Sequence, residues 1–301
     1  MGRPCPVTEA QKDEIIAHYR DGRSTHWLSN TYHASRDFVK CLLRDRGIQM
    51  RTIRERQHRF DCDEGAFDDA VNDEEAAYWC GFLMTDGCIT SNKHTDYVIL
   101  RIKESDRAHV ERLRRFLRAQ HEVKLHASTT PKGEARKVAS LAIGSTRLVE
   151  QLAKYGVVPL KTRTAEARGG IENSRHFWRG VLDGDGCIGF RSRKHYEPTA
   201  VVQFCSASER LMSQFVEHIR PAIGSTTSVW WSRGTWCCMI HTLKAVALIR
   251  HLYADCRVAL DRKHGLAKKA MLIRPKYRLQ SPSDTLRSPC TLDTSPRPDD
   301  P

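Results

Sequence analysis

A chain of 301 residues, 40% hydrophobic and 28% charged, is long enough for two or three folded domains and can bury their cores. Its 49 Lys and Arg against 36 Asp and Glu leave a formal charge of +13, which points to a polyanionic partner. No apolar run of about 18 residues is present to span a membrane, and the first residues lack an apolar signal core, so an intracellular setting is expected.

Residues 1–50 read as a small all-α module with helices over 9–20, 26–32 and 36–46. Ile15, Ile16, Leu28, Phe38, Val39, Leu42 and Leu43 are spaced to share one core. Ser35 is placed to cap the third helix and Gly47 to end it. The run from Leu28 through Ser35 and Arg36 to Val39 resembles the helix-turn-helix of resolvase- and transposase-like proteins. That resemblance implies a last helix in the DNA major groove, with Arg36 and Lys40 as contacts. Residues 51–71 read as a charged linker. It begins with Arg51, Arg54, Arg56 and Arg59, suited to a DNA backbone or minor groove, and turns acidic from Asp61.

The body contains a repeat. Trp79-Cys80-Gly81-Phe82-Leu83-Met84-Thr85-Asp86-Gly87 aligns without gaps on Trp178-Arg179-Gly180-Val181-Leu182-Asp183-Gly184-Asp185-Gly186, 99 residues later. Each copy reads as a helix, the first opened by Asn72 with Glu75 completing a near capping box, the second by Ser174. After the first copy come strands over 88–90 and 97–103, a helix over 106–118, strands over 122–127 and 136–143, and a helix over 146–155. After the second come strands over 187–191 and 200–205, a helix over 209–219, strands over 225–231 and 235–241, and a helix over 243–253. Both halves therefore read αββαββα: an α+β chain with two pseudo-symmetric domains, 72–168 and 169–275. Residues 276–301, rich in Ser, Pro, Thr and Asp, read as a disordered tail. The 11 cysteines include no CxxC pair and read as buried free thiols in a reducing compartment, with neither a disulfide framework nor a zinc site.

The repeated helices carry the chemistry. Small residues at i and i+4, Gly81 with Thr85 and Gly180 with Gly184, give each a smooth face on which two backbones can approach. Gly87 and Gly186 are expected in left-handed helix-ending turns. Helices packed on those faces bring Asp86 and Asp185 side by side. Two carboxylates at negative helix ends repel one another, and a divalent cation relieves both penalties. Oxygen ligands in a partly open shell suit Mg²⁺ or Mn²⁺, with a substrate phosphate completing the coordination.

The two nine-residue segments and the αββαββα order resemble the LAGLIDADG homing-endonuclease family, over roughly residues 72–270. The resemblance implies that Asp86 and Asp185 bind catalytic metals and that the two sheets form a saddle over the DNA major groove. It further implies cleavage of both strands to leave 3′ overhangs, by a monomer acting on double-stranded DNA with no small-molecule cofactor. The first copy departs from the signature, with Met84 where the second keeps Asp183; lost symmetry with retained activity is expected. A basic residue late in each domain often supports catalysis in this family, and the matching positions are Lys161 and Lys263, which as residues alone read equally as surface lysines. The strands supply candidate DNA contacts in Arg101 and Lys103, Lys124 and His126, and Arg191 and Arg193, some for base edges and some for phosphates. Two rivals share the scaffold: a non-cutting DNA-binding regulator and an intron RNA-splicing maturase.

Overall fold

Helix caps set the boundaries of the front module. The computed structural model describes residues 7–21, 23–51, 61–92, 95–129, 133, 135–193 and 196–273, without the side chains of Arg193, Tyr196 and Glu197. Thr8 and Gln11 form a reciprocal capping box at the start of α1 (Glu9–Arg20). Ser24 caps α2 (Thr25–Thr31), and Ser35 accepts from the Phe38 N–H to open α3 (Arg36–Asp45) as expected. Gly47 follows at φ +65°. Ile15, Leu28, Val39 and Leu43 are fully buried in a core of their own, with Val7, Ile16, Tyr19, Ala34 and Leu42 around them.

Residues 61–71, read from sequence as linker, are packed. Phe67 and Ala70 are fully buried, the Asp63 N–H donates to Leu117 O, and the Ala70 N–H donates to Tyr155 Oη. Two apolar side chains among the acids were enough to anchor the segment to the first half.

The first half runs α4 (Glu74–Thr85), β1 (Gly87–Ser91), β2 (Asp96–Lys103), α5 (Arg107–Phe116), β3 (Lys124–Thr129), β4 (Ala135–Gly144) and α6 (Thr146–Lys154). The second runs α7 (Arg175–Asp185), β5 (Gly186–Arg193), β6 (Tyr196–Ser206), α8 (Glu209–Ile223), β7 (Val229–Ser232), β8 (Thr235–His241) and α9 (Thr242–Tyr253). The strands form two four-stranded antiparallel sheets of matching order, β1-β2-β4-β3 and β5-β6-β8-β7. One continuous apolar core runs through both halves. A further helix, α10 (Asp261–Met271), has no counterpart in the first half, where the chain makes a 3-10 turn at Lys161–Arg163 and crosses to α7.

Three local expectations are corrected. Asp73 caps α4, accepting from the Ala76 N–H at 2.7 Å, while Asn72 donates to Asp69 instead. Gly87 and Gly186 are not left-handed: Gly186 is extended at φ −91°, and each motif helix runs straight into its strand. Glycine is required there because a Cβ would lie 2.5 Å from Leu83 O and 2.6 Å from Leu182 O respectively. The cysteines are not uniformly buried, since Cys41, Cys88 and Cys187 are exposed; among the described residues all are free thiols. No helix among the described residues is long and apolar enough to cross a membrane.

Candidate active site

The two motif helices, α4 and α7, pack backbone to backbone. A Cβ on Gly81 would run into the Phe177 carbonyl, and one on Gly180 into the Tyr78 carbonyl with Phe82 N at 2.7 Å. At Gly184 a Cβ would meet Thr85 Oγ1 and come within 3.4 Å of Asp86 Oδ2. The expected smooth faces are therefore the contact surface, and they bring Asp86, the C-cap of α4, beside the last turn of α7 that ends at Asp185.

Burial raises the pKa of both carboxyls. Asp86 is pushed up to about 6, first by desolvation and then by the Asp185 charge, against the opposing pull of Lys263 and Arg262. Asp185 is raised by desolvation, with Lys263 and Lys161 pulling the other way. Among the described residues no three acidic, His or Cys side chains cluster to enclose a metal ion. The oxygen-only pair still fits a hard divalent ion that keeps most of its shell for water and phosphate.

Lys161 and Lys263 are not surface residues: both are buried. Lys161 Nζ donates to Gly87 O at 2.5 Å. Lys263 Nζ faces four carbonyls at the end of α7, Leu182 O at 2.8 Å, Asp183 O at 2.6 Å, Gly184 O at 3.2 Å and Gly186 O at 2.6 Å. Each ammonium thus holds the helix end of its own half. Each is also felt by the acid of the other half, Lys161 by Asp185 and Lys263 by Asp86. Desolvation lowers the Lys263 pKa to about 8.

The two acids have different surroundings. A cleft of about 580 Å³ opens at Asp185, lined by Leu160, Lys161, Thr162, Cys205 and Thr235 among others. Asp86 instead senses Asp106 and Arg262, which form an ion pair at 3.2 Å. Beneath them Asp183 is fully buried, accepting from Tyr253 Oη at 2.7 Å, Tyr78 Oη at 2.8 Å and Leu260 N–H at 2.7 Å. Met84 fills the matching place in the first half, and Tyr155, the counterpart of Tyr253, donates to Asp68 O.

Strand register places the candidate basic contacts. In β2, Val98, Leu100 and Ile102 face the core, so Arg101 and Lys103 face outward. Arg101 pairs with Ser140, which pairs with Lys124; Lys103 pairs with Val138, which pairs with His126. All four therefore share one face, and the His126 ring nitrogen Nε2 lies 2.8 Å from Ser140 Oγ. Arg136, opposite Ser128, extends the patch; its alternation with Val138 and Ser140 was the overlooked signal. Arg191 is exposed on β5, and Arg193 lies on the same strand with its side chain outside the described residues.

In the front module Arg36 is exposed at the start of α3, while Lys40 is paired with Asp37 at 2.9 Å. Arg51 is turned back: its guanidinium lies 4.2 Å over the Tyr19 ring and donates to Arg23 O, so it is not extended along a linker. Arg54, Arg56 and Arg59, and the tail 276–301, lie outside the described residues.

No family model and no curated protein matches this chain. Solved structures do. The homing endonuclease I-WcaI bound to its DNA recognition sequence is 11% identical, with a TM-score of 0.49, over 74% of this chain and 92% of that one. The LAGLIDADG meganuclease I-AabMI bound to uncleaved DNA is 14% identical, with a TM-score of 0.44, over 65% and 90%. The LAGLIDADG homing endonuclease I-GzeII in complex with its DNA target is 9% identical, with a TM-score of 0.45, over 65% and 88%.

Proposed function

We propose that this chain is a site-specific double-strand DNA endonuclease that hydrolyses phosphodiester bonds with Mg²⁺ or Mn²⁺. The observation that carries the reading is the juxtaposition of Asp86 and Asp185 at the ends of two helices in backbone contact, beside a sheet face bearing Arg101, Lys103, Lys124 and Arg136. Two buried, mutually repelling carboxylates are costly as structure alone. A divalent ion held by them would supply charge compensation at the scissile phosphate and activation of water.

The residues of the chain supply position. Gly81, Gly180 and Gly184 set the separation of the two acids. Lys161 and Lys263 fix the carbonyls that follow or precede each acid and add positive charge where phosphate charge develops. The outer sheet faces lie in the major groove, the basic one binding phosphates and guanine edges. The front module adds contacts through Arg36 and α3. One chain supplies both acids, so a monomer cuts both strands, leaving 3′ overhangs.

The test is cleavage of a plasmid library of candidate loci in Mg²⁺ by the wild-type chain, Asp86→Asn and Asp185→Asn. Staggered cutting at one long site, lost in both variants, is expected. Tight binding without metal and without cutting would instead make the chain a regulator, and selective intron RNA binding without DNA cutting a maturase.

A further inference from the structure

The two sheets superpose in register but differ in chemistry at one row. Gly87 pairs with Leu100 in the first sheet and Gly186 with Phe204 in the second, so Arg101 corresponds to Cys205. Across the first sheet the row reads Arg101, Ser140, Lys124. Across the second it reads Cys205, Cys237, Trp230. All six lie on the sheet face opposite Leu100, Ala139, Phe204 and Cys238, which are fully buried or nearly so. Ser140 and Cys237, in the middle of each row, are covered by their neighbours at 6% and 5% exposure, so contact is made through the flanking residues. Cys205 and Cys237 are in sulfur–sulfur contact at 2.8 Å, and Trp230, at the sheet's outer edge where the first sheet has Lys124, is 41% exposed. Arg191 is exposed on β5 of the second sheet, and Arg193 lies on the same strand with its side chain outside the described residues. Neither belongs to the row of Cys205, Cys237 and Trp230, where the first sheet carries Arg101 and Lys124.

An apolar row of this kind has one matching feature in the major groove. Guanine offers two acceptors to Arg or Lys, whereas the thymine 5-methyl is the apolar group on a base edge. Resting on the endonuclease reading above, we infer that the Cys205–Cys237–Trp230 row reads a thymine methyl in one half-site, where the symmetry-related position of the other half-site presents a guanine to Arg101 and Lys124. The target is then not palindromic at this position, and Trp230 is the residue that determines it. Trp230 and its neighbour Trp231, 55% exposed, would otherwise be a liability for self-association on an edge strand.

The experiment selects bound duplexes from a random library with the full chain in EDTA, so that binding is read without cutting. Thymine in the enriched site is then replaced by deoxyuridine, one position at a time, and affinity is measured by fluorescence anisotropy. Guanine and thymine are expected at positions symmetric about the site centre. Loss of the methyl there weakens wild-type binding about four-fold, the factor for burying one methyl. Trp230→Ala binds the thymine and deoxyuridine duplexes equally, while Lys124→Ala keeps the wild-type ratio. Insensitivity to deoxyuridine at every position, or a ratio that survives in Trp230→Ala, overturns the assignment. Failure to enrich any duplex overturns the endonuclease reading and this assignment with it.

Discussion

Tyr78 Oη of the first motif helix donates to Asp183 Oδ2 of the second at 2.8 Å, inside the joint between the two halves. Its own acceptor lone pair faces His109 Nε2 at 2.9 Å, which fixes that ring's proton on Nε2. Asp183 also accepts from Leu260 N, three residues before Lys263. The carboxylate therefore ties together both motif helices and the start of α10.

Asp183→Met strands three buried donors, and Asp183→Asn keeps one amide oxygen as acceptor but turns an amide N–H donor toward the remaining ones. Asp183→Asn and Asp183→Met are each expected to cost about 3–5 kcal/mol, although Met84 is native at the matching place in the first half. Tyr78→Phe removes two bonds, the donation to Asp183 and the acceptance from His109, and costs about 2–3 kcal/mol. Urea midpoints at constant slope check this order, and a loss under about 1 kcal/mol for Asp183→Asn would contradict the geometry.

Acid should weaken the joint through His109, whose pKa burial pushes down to about 3. The unfolded chain binds this proton near the ordinary value of about 6.5, so between these limits the unfolded state holds more protons. Stability is complete above about pH 6.5 and falls with acid until about pH 3, by about 1.4 kcal/mol per pH unit for one proton. His218, lowered to about 4 by burial and by His251, adds in the same direction. His109→Gln is expected to flatten the dependence between about pH 6 and 5 by close to one proton; an unchanged slope would rule out the buried neutral ring as its source.

Glycine contacts at the helix crossing predict a sharp positional contrast. Gly81→Ala and Gly180→Ala force backbones apart and are expected to lower stability by about 3 kcal/mol or more, roughly 6–12 °C in Tm. Gly189→Ala, where a Cβ meets nothing within 4 Å, should leave Tm within about 2 °C. Calorimetry of the three variants separates crowding at the crossing from a general intolerance of alanine.

The two buried lysines should not be equivalent. Lys263→Met leaves four carbonyls at the end of α7 without their donor, whereas Lys161→Met leaves one, at Gly87. Faster amide exchange in the last turn of α7 and the start of β5 is expected for Lys263→Met, with a smaller, local change around Gly87 for Lys161→Met. Equal exchange in both variants would mean that the carbonyl contacts contribute little.

Much of this was legible because duplication writes each signal twice. The αββαββα order, the Gly81/Gly180 packing faces and the pairing of Asp86 with Asp185 all follow from the aligned repeat and strand alternation. What stayed hidden depends on contacts distant in sequence. Helix α10 was missed because Arg112, which binds both oxygens of Asp261, holds its first residue from 149 positions away. The burial of Lys161 and Lys263 was invisible because their partners are main-chain carbonyls, which any residue would present. Gly87 and Gly186 were assigned the wrong reason: helix-ending glycines usually permit a left-handed turn, but these make room for a leucine one turn back.

Several ties cross between the halves and none is repeated by the symmetry: Tyr78 to Asp183, Glu74 to the fully buried Arg179, Arg112 to Asp261, and Asp106 to Arg262. A pair of first halves would set Met84 against Tyr78, and a pair of second halves would set each buried Arg179 against Asn173, which stands 99 residues after Glu74 and carries no charge. Mispaired copies would leave charge and hydroxyl groups stranded in the joint. The same contacts that close this chain on itself therefore act as a lock and key, so that each half accepts the other and rejects its own duplicate.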